Sequence, residues 1–544
     1  MGTATRVTFP LPEADETIRC PLVKETIMAY LIGIDVGTQS LRTCLFHTSG
    51  EKISEAKVAY KTSFPKNSWV EQDPRDWWNA MMVALRETVQ SSRVEPKDIL
   101  ALSYACTSCT VVFLDGAGEP VRPAIMWMDE RAYREAERLT ATRHPSLKYC
   151  GGEVSPQWMI PKALWVAAHE PTTFARSDRI LEQTDYFTYR LTGQWTASQN
   201  NVTAKWNYVS HLGGWPQDFI DQARIAELMP KWPAKVLAVG QPVGTLRREI
   251  AEGVGLSRKT PVVQGGIDAH AAIAGLSAVK SGDVSIVLGT STCLMAQSKD
   301  PIFANIWGPY PDAMIPGMYT LGGGQTTSGA IVDWLARLTS HEPDSEIGEL
   351  IQKTDSLAEH IAPGSEGLVA LDFFQGNRNP YKDPKARGAI WGLSLRHTLA
   401  HLHRAFYEAV AFGVRRILED MAEHRYHVIQ TFAGGGGAKS RLWMQIHADV
   451  LNSSIQLTKE AECTALGAAI WAGVGSRVFE NIDEGSARMV RLGEIVSPSV
   501  STKATYDFYY KRYVETYEAL KPLMHAVVAF EEGKTGHSPG GETP

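Results

Sequence analysis

The chain lacks long apolar runs and clusters of basic residues. No segment reaches the roughly 20 consecutive apolar residues of a membrane-spanning helix, and the N-terminal residues contain no apolar signal core. Lys and Arg together number 54 against 60 Asp and Glu, so the formal net charge is −6, and the basic residues form no arm of the kind that binds nucleic acid. The sequence therefore predicts no membrane and no nucleic-acid partner, and it favours the cytoplasm as the place of work.

Cysteine is also scarce. Seven cysteines in 544 residues are an odd and sparse set, which suits a reducing compartment better than a disulfide framework. Cys106 and Cys109 have the spacing of a redox or zinc pair, but no second pair completes a four-ligand zinc site. The surrounding residues 101–114 predict a strand, a turn and a second strand. We therefore favour a structural or substrate-wall role for these thiols over metal or redox chemistry.

The length of 544 residues exceeds the roughly 250–300 residues at which a single hydrophobic core stops growing. Strand patterns alternate with helical patterns in both halves, which predicts an α/β fold in two domains. We place the first domain at residues 29–258 and the second at 259–531, with the boundary in a stretch that contains Gly and Pro. Residues 1–28 are predicted to be a flexible extension or to reflect the choice of start site, and residues 532–544 to be a disordered tail.

Two short stretches, Leu31–Ser40 and Val284–Cys293, are similar to one another. Each is a run of apolar and β-branched residues ending in Gly-Thr-x-Ser or Gly-Thr-x-Thr, which predicts a buried strand that leads into a tight turn. Backbone N–H groups and hydroxyls of such turns bind phosphate. Because repeated sequence indicates a repeated unit, two similar halves are predicted to face one polyphosphate. The assigned phosphate-binding residues are Gly37, Thr38, Gln39 and Ser40 in the first copy and Gly289, Thr290 and Ser291 in the second.

Asp35 is the acidic residue within the first of these apolar strands. A buried carboxylate without a partner is strongly unfavourable, so Asp35 is expected to face a cation. We assign it to Mg²⁺, directly or through water, beside the phosphates. The alternative is an Asp that only caps the turn, and the second copy of the strand and turn makes that alternative less favoured.

Asp268 follows a strand and two glycines, Gly265 and Gly266, and begins a predicted helix of small residues. The glycines are expected to let another molecule approach the backbone closely, and the helix start favours an ionised carboxylate. Asp268 is thus a candidate general base that accepts a proton from a substrate hydroxyl during phosphoryl transfer. An ordinary helix-capping Asp is the alternative.

Four consecutive glycines, Gly434, Gly435, Gly436 and Gly437, separate a predicted strand from a predicted helix. They offer a flat surface without side chains, against which a base or ribose can lie. Together with the small-residue helix at Ala465–Gly473 they predict a nucleotide pocket, although flexible turns use the same residues.

The ordered set of motifs resembles the FGGY carbohydrate kinases, in the superfamily that also contains actin and hexokinase. The resemblance extends from about Tyr30 to Tyr513 and rests on seven segments in the family's order: Gly33–Thr38, Trp69–Pro74, Trp127–Arg131, Gly265–Ala269, Leu288–Ser291, Gly434–Gly437 and Ala465–Ala469. It implies two ribonuclease-H-like domains with a cleft between them, and ATP-dependent phosphorylation of a small sugar or polyol with Mg²⁺. It also implies that Asp268 is the catalytic base, the two turns are phosphate loops and the glycine run is the adenosine loop.

Three further segments resemble the ribulokinase branch of that family: Gly151–Lys162, Ala204–Tyr208 and Gln375–Pro380. In that branch the lysine that matches Lys162 contacts the sugar, as do residues beside the turn at Cys109 and Thr110. A surface lysine on an amphipathic helix is the alternative for Lys162. The sugar-binding residues implied by the resemblance are Cys109, Thr110, Asp129 and Lys162, together with Asp268.

One position departs from the ribulokinase pattern. Those enzymes typically carry an acidic residue three positions before the glutamine of a Gly-Gln-Ser/Thr turn, whereas this chain has Gly322 three positions before Gln325. Glycine has no side chain to accept a hydrogen bond from a sugar hydroxyl. A ketopentose such as ribulose is the predicted substrate, and xylulose, ribitol, erythritol and erythrulose stay open as alternatives.

Two other classes of protein are weighed against a sugar kinase. A chaperone-like or filament-forming ATPase would lack a sugar pocket, so the Trp127–Arg131 and Gln157–Lys162 segments argue against it. A silent sugar-binding regulator is disfavoured by the intact Asp268 and both turns.

The sequence does not reveal which hydroxyl is phosphorylated or how many subunits assemble. A homodimer through an apolar face of the helix at 399–423 is one alternative, and burial of that helix inside the second domain is the one we favour.

Overall fold

The computed structural model describes residues 29–340 and 346–535. The predicted extension at residues 1–28 lies outside the described residues, and so do residues 536–544 of the predicted tail. The last helix ends at Thr535, so the first four residues of the segment expected to be disordered are helical.

Strands and helices alternate through both halves, which confirms the α/β class. The strands are β1 (Tyr30–Val36), β2 (Ser40–His47), β3 (Lys52–Ala59), β4 (Glu71–Gln72), β5 (Ile99–Cys106), β6 (Val111–Leu114), β7 (Ala124–Ile125), β8 (Arg179–Glu182), β9 (Thr196–Ser198), β10 (Lys235–Leu237), β11 (Pro242–Thr245), β12 (Pro261–Val263), β13 (Gly266–Ile267), β14 (Asp283–Leu288), β15 (Thr292–Ser298), β16 (Trp307–Pro311), β17 (Tyr319–Gln325), β18 (Val369–Leu371), β19 (Ala389–Trp391), β20 (Gln430–Gly434), β21 (Ile455–Thr458) and β22 (Leu492–Val496). The helices are α1 (Pro74–Ser92), α2 (Tyr133–Thr140), α3 (Met159–His169), α4 (Pro171–Arg176), α5 (Gln183–Thr192), α6 (Gln199–Lys205), α7 (Gln217–Ala223), α8 (Arg248–Val254), α9 (Asp268–Gly275), α10 (Gly329–Thr339), α11 (Ile347–Ala358), α12 (Leu399–Glu423), α13 (Arg441–Leu451), α14 (Cys463–Gly475), α15 (Ile482–Met489) and α16 (Lys503–Thr535).

The first large sheet has the spatial order β11–β12–β5–β1–β2–β3, with β13 also paired to β5. β1, β2 and β3 form an antiparallel meander, and β5 runs parallel to β1 on its other side. Apolar residues of β1 are buried on both faces of this sheet. Ile32 and Ile34 pack towards Trp77 of α1, whereas Leu31 packs with residues of α14.

The second large sheet has the order β16–β17–β15–β14–β20–β21–β22. Its first strands are antiparallel, and β20 runs parallel to β14 as β5 does to β1. The hairpins β1–β2 and β14–β15 thus occupy equivalent positions in the two sheets. The similarity between Leu31–Ser40 and Val284–Cys293 reflects this repeat.

The first sheet continues beyond the boundary placed at residue 258. β12 and β13 both pair in parallel with β5, about 160 residues earlier in the chain. The first sheet therefore includes residues up to Ile267, and the domain boundary at residue 258 stays a prediction. A short parallel strand that pairs with a distant partner leaves no local signal of which sheet it joins.

α14 comes from the second half of the chain but packs on the first sheet. It lies against β1 and β5 on one side and against α9 on another. Backbones approach closely here: a Cβ atom at Gly33 would lie 1.8 Å from the carbonyl oxygen of Ala465, and one at Gly467 would lie 1.8 Å from that of Ala271. The small residues of α14 therefore join the two halves through tightly packed core, and no side chain fits between the backbones.

The long helices α12 and α16 belong to the second half. Most of α12 is buried, including Phe406, Val410 and Ile417, so the helix is enclosed within the second domain, as favoured from the sequence, and offers little surface for a homodimer. Within residues 29–340 and 346–535, no helix combines the length and the hydropathy needed to cross a bilayer.

Candidate active site

Asp35 and Asp268 lie at the same edge of the first sheet. Asp35 pairs with Ala105 of β5, and Asp268 follows Ile267, which pairs with Cys106 of β5. The two aspartates therefore flank the end of β5, with about two strand spacings, roughly 10 Å, between their backbones. Both side chains are half-buried. The structure thus brings together the two carboxylates that the sequence analysis singled out.

The local sequence explains how Asp268 reaches this edge. Gly265 allows close approach to β5, since a Cβ atom there would lie 1.8 Å from the carbonyl oxygen of Tyr104. Asp268 is then the first residue of α9, where its Oδ1 accepts a hydrogen bond of 2.7 Å from the N–H of Ala269. The space beside Gly265, expected to receive a bound molecule, is therefore occupied by the protein's own backbone. The start of α9 favours the ionised form of the Asp268 carboxylate.

Enclosure by protein raises the pKa of both carboxyl groups. Burial and, second, the charge of Asp268 raise the pKa of Asp35 to about 7, against the opposing effects of Arg42 and Lys57. Burial likewise raises the pKa of Asp268 to about 6, and its hydrogen bond from Ala269 opposes the shift. Two neighbouring carboxylates in this environment resist being ionised together. A divalent cation beside them would relieve that repulsion.

The donor set fits a magnesium ion whose coordination is completed by phosphate. Within the described part of the chain, no group of three or more His, Cys, Asp or Glu residues is arranged to hold a metal by itself. Mg²⁺ is usually held by only one or two carboxylates, together with water and substrate phosphates. Asp35, a half-buried carboxylate at the end of β1, supplies the oxygen ligand that such an ion needs.

The first predicted phosphate turn joins β1 to β2. The N–H of Gly37 donates to the carbonyl of Ser40 at 3.0 Å, so it is used inside the hairpin. Trp127 Nε1 donates to Thr38 Oγ1 at 3.0 Å, which holds the turn from one side. Gln39 is exposed at the tip, and across residues 29–340 and 346–535 the N–H groups of Thr38 and Gln39 find no acceptor. These two N–H groups are therefore available to an anion.

The second predicted turn joins β14 to β15 and is built similarly. The N–H of Gly289 donates to the carbonyl of Ser291 at 3.0 Å, and the carbonyl of Thr290 accepts a bond of 3.0 Å from the N–H of Ser328. Burial raises the pKa of Cys293 to about 12, and the charge of Asp268 is the next cause of that shift. The start of β15, and with it the second turn, therefore lies near Asp268.

The glycine run lies beside this second turn. Gly435 has φ +87°, and a Cβ atom there would lie 2.6 Å from the carbonyl oxygen of Leu288, the residue before Gly289. Only glycine tolerates both conditions. No atom lies within 4 Å of the place where a Cβ of Gly436 would stand, so this part of the loop is open. The predicted adenosine loop, Gly434–Gly437, and the second turn thus adjoin, as binding of one nucleotide requires.

Lys162 lies in the protein interior. Its side chain is fully buried, and its Nζ donates to the carbonyl of Cys109 at 2.8 Å and to that of Met126 at 2.6 Å. Burial lowers its pKa to about 8. Two of its three N–H donors are thus used to fix the turn at Cys109, which is itself buried and has φ +64°. The contact of Lys162 with sugar stays a prediction.

Asp129 and Thr110 are enclosed in the same way. The Asp129 carboxylate accepts a bond of 2.6 Å from the N–H of Val70 and bonds of 2.9 and 2.7 Å from the Arg131 guanidinium. Thr110 Oγ1 lies 2.9 Å from Thr107 Oγ1. Both side chains are fully buried. These bonds hold both side chains in the protein interior, and their contacts with sugar stay predictions.

Lys205 is a basic residue of this pocket that the sequence analysis did not assign. It ends α6, half-buried, with Nζ 3.1 Å from the hydroxyl of Tyr310 and 5.3 Å from the ring centre of Trp307. Burial and, second, the charge of Lys205 lower the pKa of His270 in α9 to about 3. Lys205 therefore lies near α9, the helix that begins at Asp268. The available signal was its position within the ribulokinase-like segment Ala204–Tyr208.

Arg378 is the second unassigned basic residue. Its guanidinium lies 5.4 Å from the ring centre of Trp127 and 5.8 Å from that of Trp307. It belongs to the segment Gln375–Pro380, which also carried the ribulokinase resemblance. Lys205 and Arg378 thus both lie beside the ring of Trp307.

Family models match both halves of the chain. The model described as the N-terminal domain of the FGGY family of carbohydrate kinases matches residues 30–275. The model described as the C-terminal domain of that family matches residues 284–476. The first match ends with α9, in agreement with the strand pairing of β12 and β13.

The chain is also similar to individual proteins over nearly its whole length. It is 31% identical to the FGGY carbohydrate kinase domain-containing protein of Xenopus laevis, with 89% of this chain and 96% of that protein covered. It is 30% identical to the ribulokinase of Geobacillus thermodenitrificans, with 90% and 94% covered. The crystal structure of xylulose kinase from Rhodospirillum rubrum matches with a TM-score of 0.80 at 28% identity, covering 91% of this chain and 100% of that one.

These similarities confirm the fold expected from the motifs, two domains of the actin and hexokinase type. They also confirm the predicted class of enzyme, an ATP-dependent carbohydrate kinase. The chain belongs to the FGGY family of carbohydrate kinases.

Proposed function

We propose that the enzyme transfers the γ-phosphoryl group of ATP to a hydroxyl of a ketopentose, with ribulose as the first candidate. The observation that carries the proposal is the position of Asp268, half-buried at the start of α9, close to a second carboxylate and to the start of β15. Similarity to a ribulokinase at 30% identity supports ribulose.

Asp268 is the proposed general base. It orients one hydroxyl of the sugar and accepts its proton while the hydroxyl oxygen attacks the γ-phosphorus. A new O–P bond forms, the bond from that phosphorus to the bridging β–γ oxygen breaks, and ADP leaves with the electron pair. A carboxyl group whose pKa is raised to about 6 suits this task, because it is ionised before the reaction and still basic enough to take a proton.

The two hairpin turns are the proposed phosphate grips. The N–H groups of Thr38 and Gln39 face the polyphosphate from the first domain, and the turn at Gly289–Ser291 faces it from the second. Gly434–Gly437 supports the adenosine beside the second turn. Asp35 is the residue proposed to hold Mg²⁺, which when bound neutralises phosphate charge. Closure of the cleft around both substrates would exclude water and limit ATP hydrolysis.

Xylulose is a second candidate substrate. One solved structure that matches with a TM-score of 0.80 is the xylulose kinase of Rhodospirillum rubrum, and Gly322 lacks the acidic side chain of the ribulokinase pattern. The polyols and tetruloses named above belong in the same comparison.

The test is ADP release by the purified enzyme with Mg²⁺, ATP and one compound at a time from ribulose, xylulose, ribitol, erythritol and erythrulose. We expect turnover that depends on the sugar and is fastest with ribulose. Faster turnover with another compound would replace the proposed substrate. ATP turnover that is the same with and without every compound would contradict the proposed function and favour an ATPase of another kind.

We also propose that the enzyme works in the cytoplasm. The six cysteines within the described residues are all free thiols, and free thiols are typical of a reducing compartment. Cell fractionation followed by immunodetection tests this location.

A further inference from the structure

Arg378 lies between two tryptophans that come from different halves of the chain. Trp127 belongs to the first half and donates a hydrogen bond to Thr38 of the first phosphate turn. Trp307 begins β16 in the second sheet. The guanidinium carbon is 5.4 Å from the first ring centre and 5.8 Å from the second. Arg378, in the loop between β18 and β19, thus reaches across the cleft.

The Arg378 guanidinium has no hydrogen-bond acceptor among the residues that the structure describes. Arg378 donates no hydrogen bond and forms no ion pair with any residue of 29–340 or 346–535, and burial lowers its pKa. The groups that oppose this shift are Cys293, Cys109 and Glu130, and Glu130 is solvent-exposed. Arg378 is half-buried, so its N–H groups reach water but no acceptor in the described part of the protein, and they are free to donate to a bound molecule. Proteins retain such groups at binding sites, where the ligand supplies the missing acceptor.

The loop holds Arg378 in this position from both sides. On one side, Asn379 accepts a hydrogen bond of 3.1 Å from the N–H of Gly324. On the other, the carbonyl of Gly376 accepts a bond of 2.9 Å from Thr326 Oγ1. Both bonds tie the loop to the end of β17. The arginine is therefore pre-positioned at the cleft rather than extended from a free surface loop.

Because Gly322 has no side chain, the ring of Trp307 has space beside it. The two residues pair across β17 and β16, and a Cβ atom at Gly322 would lie 3.1 Å from the Trp307 ring and 3.0 Å from Met295. An acidic side chain at this position would displace the ring that borders both Lys205 and Arg378. Since Lys and Arg only donate hydrogen bonds, the pocket has two donors where the ribulokinase pattern has an acceptor.

From this geometry we infer that Arg378 is a specificity-determining residue. It binds a sugar oxygen that carries no hydrogen and can therefore only accept hydrogen bonds. Two groups share this chemistry: the carbonyl of a ketose and the carboxylate of a sugar acid. The inference rests on the proposed function, because it concerns the same pocket in which Asp268 accepts the proton of a different oxygen. The forked guanidinium donates to such an oxygen through more than one N–H. A polyol has neither group and should bind less tightly.

The experiment compares three five-carbon compounds: ribulose with a carbonyl at the second carbon, ribonate with a carboxylate at the first carbon, and ribitol with neither. ADP release gives kcat and KM for the wild type and for Arg378→Gln. We expect the wild type to prefer ribulose or ribonate over ribitol, and the preferred compound identifies the acceptor group. Arg378→Gln should raise KM for that compound roughly 10–100-fold, the range for a hydrogen bond to a charged group. The change in kcat should be smaller, and the preference over ribitol should shrink.

Arg387→Gln is the matched control. Arg387 lies in the same connection between β18 and β19 but is exposed, and it donates to the carbonyls of Pro384 and Ala386. Its substitution should leave KM for all three compounds unchanged. Equal effects of the two substitutions on KM would contradict a specific role for Arg378.

Thermal unfolding without sugar separates binding from a structural role. Removing Arg378 orphans no acceptor in the described part of the chain and loses only the contacts with the rings of Trp127 and Trp307, so the unfolding midpoint of Arg378→Gln should stay close to that of the wild type. A lower midpoint with unchanged KM and unchanged preference would contradict the inference alone. Absence of sugar-dependent ADP release by the wild type with every compound tested would contradict the proposed function, and the inference with it.

Discussion

Asp268 is held in a way that suits proton transfer. Its carboxylate accepts one backbone hydrogen bond at the start of α9, and burial raises its pKa to about 6. Asp129 is more deeply buried and accepts several hydrogen bonds, three of them from Arg131. The two aspartates therefore differ in their partners: Asp268 has one backbone donor, whereas Asp129 is enclosed by an arginine.

Asp268→Asn should lower turnover with sugar by about 10²–10⁴-fold, the usual contribution of a general base. ATP binding should stay near that of the wild type, because the proposed phosphate contacts come from the two turns. The measurement is kcat by ADP release together with nucleotide binding by calorimetry. Asp76→Asn, at an exposed position of α1, serves as the control, and full activity of Asp268→Asn would exclude the role.

Lys162→Met should destabilise the protein by about 1–3 kcal/mol, because the carbonyls of Cys109 and Met126 would lose a charged donor in a buried environment. Denaturant unfolding measures this change, with the exposed Lys97→Met as control. A sugar-contacting lysine would instead give a raised KM with unaltered stability, and that result would support the role first expected from the sequence.

The sequence predicted the positions of Asp35 and Asp268 better than it predicted those of the basic residues. Asp35 and Asp268 stand at strand ends, where topology leaves few directions for a side chain, so motif and position agree. Lys162 and Lys205 both lie in segments that resemble ribulokinases, but a motif does not record whether a flexible lysine turns towards the cleft or the core. That direction depends on distant carbonyls and rings, such as Met126 and Trp307, which no local pattern contains.

α14 and α9 are the elements at which the two halves meet. Their backbones touch at Gly467, where a Cβ atom would lie 1.8 Å from the carbonyl oxygen of Ala271. Neither backbone has room to yield, because the first sheet lies against α14 and packed interiors resist expansion.

Gly467→Ala should therefore destabilise the protein by about 2–3 kcal/mol, near the upper part of the range for overpacking. Gly348→Ala is the matched control in α11, since no atom lies within 4 Å of its Cβ position. The control should stabilise the protein by about 0.5–1 kcal/mol through helix propensity. Denaturant unfolding of both variants gives the comparison, and similar values for the two would contradict the close-packing account.

Among the secondary-structure elements, the hairpins β1–β2 and β14–β15 were predictable from the sequence, because each is a strong apolar pattern followed by a turn signature. The assignment of β12 and β13 was not. Their few residues restart an α/β pattern, which resembles the start of a domain, whereas their partner β5 lies about 160 residues earlier. Pairing over such a distance is decided by the complete core.

The molecule as a whole is expected to unfold as one cooperative unit. α14 covers β1 and β5 with residues such as Ala465, Ala468 and Ile470, so neither half buries its apolar surface alone. Calorimetry of residues 29–535 should give a single transition, and a fragment of residues 29–275 should show no cooperative melting until residues 276–535 are supplied. Two resolved transitions, or a fragment that melts cooperatively, would contradict this expectation.

The late position of α14 in the chain has a consequence for biosynthesis. Even β13, the last strand of the first sheet, leaves the ribosome roughly 190 residues before α14, which corresponds to about 10–40 s at 5–20 residues per second. During that interval the nascent polypeptide exposes an apolar surface around Leu31 and Ala101 to solvent. Chaperones that bind emerging chains should therefore be retained on this protein until translation passes residue 475.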